Sequence, residues 1–318
     1  MKIPSGREDI AQLFSNLLKT NRLSNSYIIN GENGIGKKTV MEYILALIVC
    51  GSHSACGECA SCKSLAAETH PDIIQLKRAD TKASIGIDSV RGIMGEIYVK
   101  PVMAEYKAVI VHEAHLLTAE AQNAMLKVIE EPPEKVTFFF LCDTTAAILP
   151  TIISRSVTVN LAPLGRSVLE SIAKADEFEL CYCQGNPGVL KRLTGDSKFT
   201  DLRDGVTDAF NAVISSDSFD IFESAAFFEN NKDNREEIIN IILFFLRDVL
   251  YKKFGMSEYI VNKDKINHIN AFEARVSTKS CLKMMKTVTD IQKAKGKNGN
   301  YTIAVTMMLL KCREEING

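Results

Sequence analysis

The chain has 318 residues, of which 46% are apolar and 24% charged, and its formal net charge is −1. This length accommodates about two or three domains of ordinary size. The nearly balanced charge excludes an overall field that would draw the protein onto nucleic acid or an anionic membrane, so any DNA contact must come from a local patch or a partner.

The N-terminal segment MKIPSGREDI has a lysine with no apolar stretch behind it, so we expect no secretory signal. The longest apolar run, Tyr43 to Cys50, is far shorter than the ~20 residues that cross a bilayer. We therefore expect a cytoplasmic protein with no membrane partner. In that compartment a cluster among the nine cysteines indicates a metal site rather than structural disulfides.

The first half of the chain alternates predicted helices and strands. In chain order they are a helix over residues 1–20, a strand at Ser26–Asn30, a helix at Lys37–Cys50, strands at Asp72–Leu76 and Lys107–His112, a helix at Thr118–Glu131 and a strand at Val136–Cys142. Strands separated by helices predict a parallel α/β sheet covered on both faces. From about Leu164 the pattern becomes helical with no convincing strand, and Asn240–Tyr251 reads as a well-buried helix.

A glycine-rich loop follows the first predicted strand and opens the next predicted helix. Glycines let backbone N–H groups converge on a phosphate at a helix N-terminus, and the lysine reaches the outer phosphates. The alternative is an ordinary tight turn, but the lysine and the strand–helix context favour a P-loop. The predicted nucleotide-binding residues are Gly31, Gly34, Gly36, Lys37, Lys38 and Thr39.

Two positions that should support Mg²⁺ are altered. A P-loop places Ser or Thr directly after the lysine, but Lys38 occupies that position and the hydroxyl comes one residue late, at Thr39. One residue is a rotation of about 100° on a helix, so Thr39 should not substitute. The strand Lys107–His112 resembles the strand that ends in paired acids in P-loop ATPases, but His112 replaces the first acid and only the second, Glu113, remains. We therefore expect weak or absent hydrolysis, with ATP or ADP binding left open and Mg²⁺ disfavoured.

The most specific metal signal is a run of four cysteines. Cys50, Cys56, Cys59 and Cys62 lie within thirteen residues, which suits tetrahedral Zn²⁺ in a closed structural site. His53 lies inside this loop and is an alternative ligand in place of one cysteine. Free buried cysteines are the remaining alternative, which the C-x2-C-x2-C spacing disfavours.

Taken together, these motifs resemble the AAA+ subunits of the bacterial clamp loader, a part of the DNA polymerase III holoenzyme. The segments that carry the resemblance are the glycine loop, the cysteine run, His70–Asp72, His112–His115, Asn123–Pro133 and Ser154–Ser156. It covers residues 1 to about 190 well and continues more weakly beyond. The family contains a gamma/tau ATPase and a delta-prime subunit with a degenerate nucleotide site. Lys38, His112, the absence of an arginine at the start of the lid helix in Cys183–Leu190 and the length of 318 residues favour the delta-prime type.

The resemblance implies a role for Arg155. The family motif Ser-Arg-Cys appears here as Ser154-Arg155-Ser156, and its arginine would act in trans as a finger in the ATP site of a neighbouring subunit. Such a guanidinium stabilises the charge that develops on a transferring phosphoryl group. Without the resemblance, a surface ion pair is the ordinary alternative for this arginine.

The resemblance also implies an architecture and partners. We expect an AAA+ parallel-sheet domain at 1–162 with an inserted zinc module at 50–62, a helical lid at 163–205 and an all-helical collar domain at 206–318. The partners would be gamma/tau and delta subunits in a heteropentamer, with the sliding clamp and primed DNA reached through the complex. Two alternatives remain: an active gamma/tau-type ATPase, and a zinc-dependent nucleic-acid-binding module without a motor role.

Overall fold

The computed structural model describes residues 1–194, 197–214, 219–293 and 301–317. Its contacts divide the chain into two compact units. The first comprises Met1–Lys174 and Cys183–Lys191, and the second comprises Ala175–Tyr182 and Arg192–Gly318. The segment predicted as a lid, 163–205, contributes residues to both units, and the three-domain division stays a prediction.

The first unit contains the five strands. They are β1 (Ser26–Asn30), β2 (Ile73–Leu76), β3 (Lys107–Val111), β4 (Val136–Cys142) and β5 (Val157–Asn160). The helices before and between the strands are α1 (Glu8–Lys19), α2 (Lys37–Val49), α3 (Ala60–Ala66), α4 (Ile87–Ile97), α5 (Ala119–Glu130) and α6 (Pro150–Ile153). Every strand and helix predicted up to Cys142 is therefore present. The bounds agree to within one residue, except that the first helix begins at Glu8 and not at residue 1.

The strands form one parallel sheet in the order β2-β3-β4-β1-β5. In this order β1 lies between β4 and β5, with Asn30 opposite Cys142 and Tyr27 opposite Val157. The glycine loop leaves the carboxyl end of β1, an interior strand of the sheet. That edge is where ligands of open parallel sheets bind.

Side chains that alternate along the strands build a separate core on each face of the sheet. Tyr27 and Ile29 of β1 pack with α1 and α2 on one face, and Tyr27 stacks on Phe139 with ring centroids 5.4 Å apart. Ile28 and Phe140 pack with α4, α5 and α6 on the other face. The sheet is thus covered on both sides, as the alternation of strands and helices predicts.

The fifth strand was not expected from the sequence. Val157–Asn160 pairs with β1 only, at the edge of the sheet, and three of its four residues are exposed. An edge strand with one neighbour buries little apolar surface, so its sequence lacks the apolar run that marked the central strands. Its position matters for function because the Ser154–Ser156 motif immediately precedes it.

The remaining helices follow β5. They are α7 (Arg166–Ile172), α8 (Glu177–Tyr182), α9 (Pro187–Leu193), α10 (Ser197–Asn211), α11 (Phe219–Asn230), α12 (Arg235–Lys253), α13 (Ile266–Arg275), α14 (Thr278–Lys293) and α15 (Tyr301–Asn317). In the described part of this region all regular structure is helical, which confirms the prediction. Helix α12 contains the predicted buried helix Asn240–Tyr251 and packs against α10, α13 and α14. Within the described ranges, none of the helices combines the length and the apolar character that a membrane span needs.

Candidate functional site

A groove at the carboxyl edge of the sheet brings the glycine loop and the altered acid strand together. Its cavity volume is about 300 Å³. It is lined by Asn33, Gly34, Gly36, Lys37, Lys38, His112, Glu113, Leu141 and Asp143. Four of the six predicted nucleotide-binding residues are therefore in this groove. Gly31 lies beneath it at the end of β1, and Thr39 is exposed outside the lining.

The ammonium group of Lys37 is fully engaged by the protein itself. It donates to the carbonyl oxygens of Gly31 and Glu32, at 2.6 and 2.9 Å, and to Asp143 Oδ1 at 2.6 Å. Because an ammonium has three N–H donors, these contacts satisfy all of them. A phosphate could reach Lys37 only by displacing one of these partners, and Asp143 is the one that carries a competing negative charge.

Asp143 was missed at the level of sequence. It directly follows β4, and the parallel pairing of β4 with β1 brings it beside the glycine loop. His115 helps to hold it, because the Asp143 backbone N–H donates to His115 Nδ1 at 3.3 Å. The sequence signal for Asp143 was an acid at the carboxyl end of a predicted strand. That signal could be connected with Lys37 only once β4 was known to pair with β1.

The residues at the end of β3 are not arranged as free metal ligands. His112 Nε2 lies 3.1 Å from Gln75 Oε1, and burial, followed by the charges of Lys77 and Lys38, lowers the pKa of His112. Its imidazole is therefore mostly neutral at pH 7. Glu113 accepts a hydrogen bond from Arg78 Nε at 3.3 Å. Both carboxylates that line the groove, Glu113 and Asp143, are thus ion-paired within the protein.

The start of α9 contacts the glycine loop through its backbone. Gly188 N–H donates to Gly34 O at 3.0 Å, and Asn186 Nδ2 donates to Asn33 O at 2.8 Å. A Cβ on Gly188 would lie 2.7 Å from the Gly34 backbone, so only glycine permits this approach. The glycine loop is therefore met here by the backbone amide of Gly188 and the side-chain amide of Asn186.

The four cysteines of the predicted zinc module converge on one point. Their sulfur atoms all lie within 4.8 Å of one another, with Cys50–Cys56 at 3.6 Å and Cys56–Cys62 at 3.9 Å. A tetrahedral site with Zn–S bonds of about 2.3 Å has sulfur–sulfur edges of about 3.8 Å. The sulfur positions therefore fit zinc. His53 turns away, with Nδ1 2.9 Å from Leu47 O, so it does not replace a cysteine here.

Hydrogen bonds to sulfur support the same geometry. The backbone N–H of Cys59 donates to Cys56 Sγ, and that of Cys62 donates to Cys59 Sγ. Burial opposes ionisation of Cys50, but hydrogen bonds from Ser52 and from backbone N–H groups outweigh it and lower its pKa to about 5. Burial raises the pKa of Cys62 to about 12. A thiolate is the ligand form of cysteine, so Cys50 is already prepared for a metal.

Arg155 lies at the opposite end of the sheet from the groove. It follows α6 and precedes β5, beside Asn25 and Glu130, which come just before β1 and β4. Its side chain is 42% exposed, and Nη2 pairs with Glu130 Oε1 at 2.9 Å. The hydroxyl of the next residue, Ser156, shares a 2.7 Å hydrogen bond with Ser26 Oγ. The structure thus keeps this predicted site residue apart from all the others.

Comparison with known families identifies the chain's relatives. A family model described as "DNA polymerase III, delta subunit" matches residues 6–165, which is half of the chain. The chain belongs to the DNA polymerase III delta-subunit family. A second model, "DNA polymerase III, delta subunit, C terminal", matches residues 197–314. The resemblance to the delta-prime type of clamp-loader subunit that the motifs indicated is confirmed.

The chain is similar to individual subunits of DNA polymerase III from several bacteria. The chain is 32% identical over 184 residues to "DNA polymerase III subunit delta'" of Pseudomonas aeruginosa, covering 54% of the chain and 56% of that protein. It is 33% identical over 154 residues to "DNA polymerase III subunit gamma/tau" of Mycobacterium bovis, covering 48% of the chain and 26% of that protein. The chain thus spans about half or less of the length of these two relatives. With the delta' subunit of Yersinia pestis the identity is 26%, over 84% of the chain and 82% of that protein.

A solved structure shares the fold. A DNA polymerase III gamma subunit-related protein from Thermotoga maritima superimposes with a TM-score of 0.54 at 18% identity, covering 98% of this chain and 99% of that one. At this identity the likeness supports the fold alone. It covers both the sheet-containing part and the helical part of the family member.

Proposed function

We propose that the chain is a clamp-loader subunit of the DNA polymerase III holoenzyme that donates Arg155 as an arginine finger to the ATP site of a neighbouring subunit. Its own ATPase is weak or absent. Relatives that are delta' and gamma/tau subunits of DNA polymerase III support the assignment to this complex. The observation that carries the proposal is the separation of Arg155 from the groove of its own chain.

The separation follows from the parallel sheet. Arg155 lies beside Asn25, at the amino end of β1, while the glycine loop begins at Gly31, after its carboxyl end. Five residues of extended strand span about 17 Å. An arginine side chain cannot bridge that distance. Arg155 can therefore stabilise charge on a transferring phosphoryl group only in the site of another subunit.

The groove supports the second half of the proposal. A productive site needs a free lysine for the phosphates and hydroxyl or carboxylate ligands for Mg²⁺. Here the Lys37 ammonium is paired with Asp143. Lys38 and neutral His112 stand at the positions where Mg²⁺-supporting residues are expected. Glu113 is held by Arg78. ATP or ADP could bind only by displacing these internal contacts. The groove offers no set of Mg²⁺ ligands for rapid metal-dependent hydrolysis.

The proposal also gives supporting roles to the other parts of the chain. We propose that the sheet unit is an AAA+ P-loop domain and that Zn²⁺, held by Cys50, Cys56, Cys59 and Cys62, cross-links its inserted module without taking part in catalysis. The helical C-terminal part would join the collar of a heteropentamer with gamma/tau and delta subunits. The sliding clamp and primed DNA would be reached through that complex.

Reconstitution tests the proposal. We expect the pure chain to co-purify stoichiometrically with gamma/tau and delta subunits of its own organism, and to hydrolyse ATP alone no faster than its Lys37→Ala variant. Lys37-dependent turnover by the lone chain would instead support the gamma/tau-type alternative. Salt-sensitive DNA binding by the lone chain, lost on zinc removal, would support the nucleic-acid-binding alternative.

A further inference from the structure

We propose that Glu130 is a positioning residue for Arg155. Its carboxylate holds the Arg155 guanidinium in the orientation needed to contact a phosphoryl group in a neighbouring subunit. This inference rests on the proposed finger role of Arg155. Its basis is the ion pair between Arg155 Nη2 and Glu130 Oε1 at 2.9 Å. Glu130 never contacts the nucleotide in this account and acts through Arg155 alone.

Three contacts together fix the plane of the guanidinium. Besides the pair with Glu130, Nη1 donates to Thr151 O at 3.1 Å and to Ser154 Oγ at 3.3 Å. A guanidinium has five N–H donors in a rigid fork, so donors remain for an incoming anion while the Glu130 pair stays intact. The pair can therefore orient Arg155 without having to break when the finger engages.

Glu130 has a rigid foundation. It is the last residue of α5, and the residue before it, Ile129, is buried in the core on one face of the sheet. After Glu131, Pro132 and Pro133 prevent the helix from continuing. The carboxylate projects into an open polar cavity at the amino edge of the sheet, where Arg155 also lies. A fixed helix end is a better support for a catalytic arginine than a loop.

The location of Glu130 is otherwise unfavourable for an acid. Carboxylates at a helix C-terminus face the negative end of the helix dipole, where cations are favoured. The α5 helix therefore gains nothing from Glu130 itself. The guanidinium of Arg155 offsets the repulsion, which indicates that the acid serves the arginine and not the helix.

The test uses the reconstituted clamp-loader complex. Steady-state ATP hydrolysis is measured with clamp and primed DNA for the wild type and for Glu130→Ala, Glu130→Asp, Arg155→Ala and the Glu130→Ala/Arg155→Ala double variant. Glu131→Gln is the matched control because it removes the neighbouring acid at the same helix end. Thermal melting and complex assembly are recorded for every variant.

We expect Glu130→Ala to slow hydrolysis at the one adjoining ATP site about fivefold, so that the kcat of the whole complex falls by no more than it does with Arg155→Ala, with KM for ATP unchanged. Glu130→Asp should recover part of the loss, and Glu131→Gln should behave as wild type. On the Arg155→Ala background, Glu130→Ala should have no further effect. An unchanged kcat for Glu130→Ala, or an equal loss on the Arg155→Ala background, would overturn the inference while leaving the finger intact. An unchanged kcat for Arg155→Ala would overturn both.

Discussion

The contact between Lys37 and Asp143 decides what the groove can bind. At 2.6 Å the carboxylate stands where a phosphate oxygen would meet the lysine. The pair is partly shielded, with side-chain exposures of 14% and 38%, so its attraction is stronger than that of a fully solvated pair. A nucleotide phosphate must therefore compete for Lys37 with the carboxylate of Asp143, which is part of the chain and always present.

Replacing Asp143 by Asn should therefore raise nucleotide affinity. The amide keeps the shape but removes the competing charge, and we expect a gain of about fivefold, or ~1 kcal/mol, for ADP binding to the lone chain. Fluorescent-nucleotide titration measures it. Glu134→Gln, which removes an exposed acid before the other end of β4, is the control and should change nothing. Equal affinities for Asp143→Asn and wild type would contradict this account of the groove.

Site features formed by neighbouring residues in the sequence could be predicted, whereas contacts between distant parts of the chain could not. The spacing within Gly31–Lys37 located the loop, and the position after Lys37 identified Lys38 as abnormal. Asp143 could not be assigned, because its approach to Lys37 depends on β4 pairing with β1 across more than a hundred residues of sequence. The pair between Arg155 and Glu130 depends in the same way on how α5 ends near the start of β5.

At the scale of elements, the proposed zinc site would cross-link a segment that has no regular structure. Cys56 and Cys59 are partly or fully exposed, and the segment Cys50–Cys59 contains no helix or strand. The four cysteine sulfur atoms converge here, all within 4.8 Å of one another. Zinc binding and ordering of this segment should therefore be coupled.

The purified chain should contain about one zinc ion, by elemental analysis, and Cys56→Ser should lose most of it. The same variant should increase protease cleavage within 50–62, because the loop loses its constraint. Cys181→Ser, which changes a cysteine outside the cluster, should keep full zinc. Full zinc content in Cys56→Ser, or none in the wild type prepared with zinc, would refute the module.

The elements also show where sequence patterns stop being informative. The central strands β3 and β4 are buried along their whole length and were evident as apolar runs. The edge strand β5 has one neighbour and mostly exposed side chains. Because few of its side chains are buried, its sequence lacks the apolar run that makes a strand recognisable. The α5 helix was predicted well because its capping residue Thr118 accepts the Ala121 N–H and two prolines follow its end.

At the scale of the whole molecule, the last helix offers a surface for assembly. Ile303, Met307 and Leu310 recur at helical spacing on α15 and are exposed by 62%, 48% and 38%. Apolar residues in such a stripe are typical of helix-to-helix contacts between subunits. The stripe lies in the region proposed as the collar.

Met307→Lys should therefore weaken assembly with gamma/tau and delta subunits at least about tenfold, because it places a charge in the middle of the stripe. Mass photometry of the mixed subunits measures the complex. Lys311→Gln, an exposed substitution on the same helix, serves as control and should assemble normally. Undiminished assembly of Met307→Lys would show that this face is not part of the collar contact.

The arrangement of the sheet places the glycine-loop groove and Arg155 at opposite ends of the strands. In the groove Lys37 is paired with Asp143, and at the other end the Arg155 side chain is partly exposed. Under the proposed function, such a subunit would contribute to catalysis only when a neighbour supplies the nucleotide. The separation of the two ends was not visible in the sequence, which predicted both sites but not their distance.

The central claim is tested most directly by ATP hydrolysis in the assembled complex with Arg155→Ala as its only change. Loss of the finger should lower clamp- and DNA-stimulated turnover at the one adjoining site without changing assembly. Total turnover should then fall by that site's share if the ATPase sites act independently, and further if they are coupled. Single-turnover hydrolysis should show one slow site. A complex that assembles normally and turns over ATP at the wild-type rate in both measurements would contradict the account.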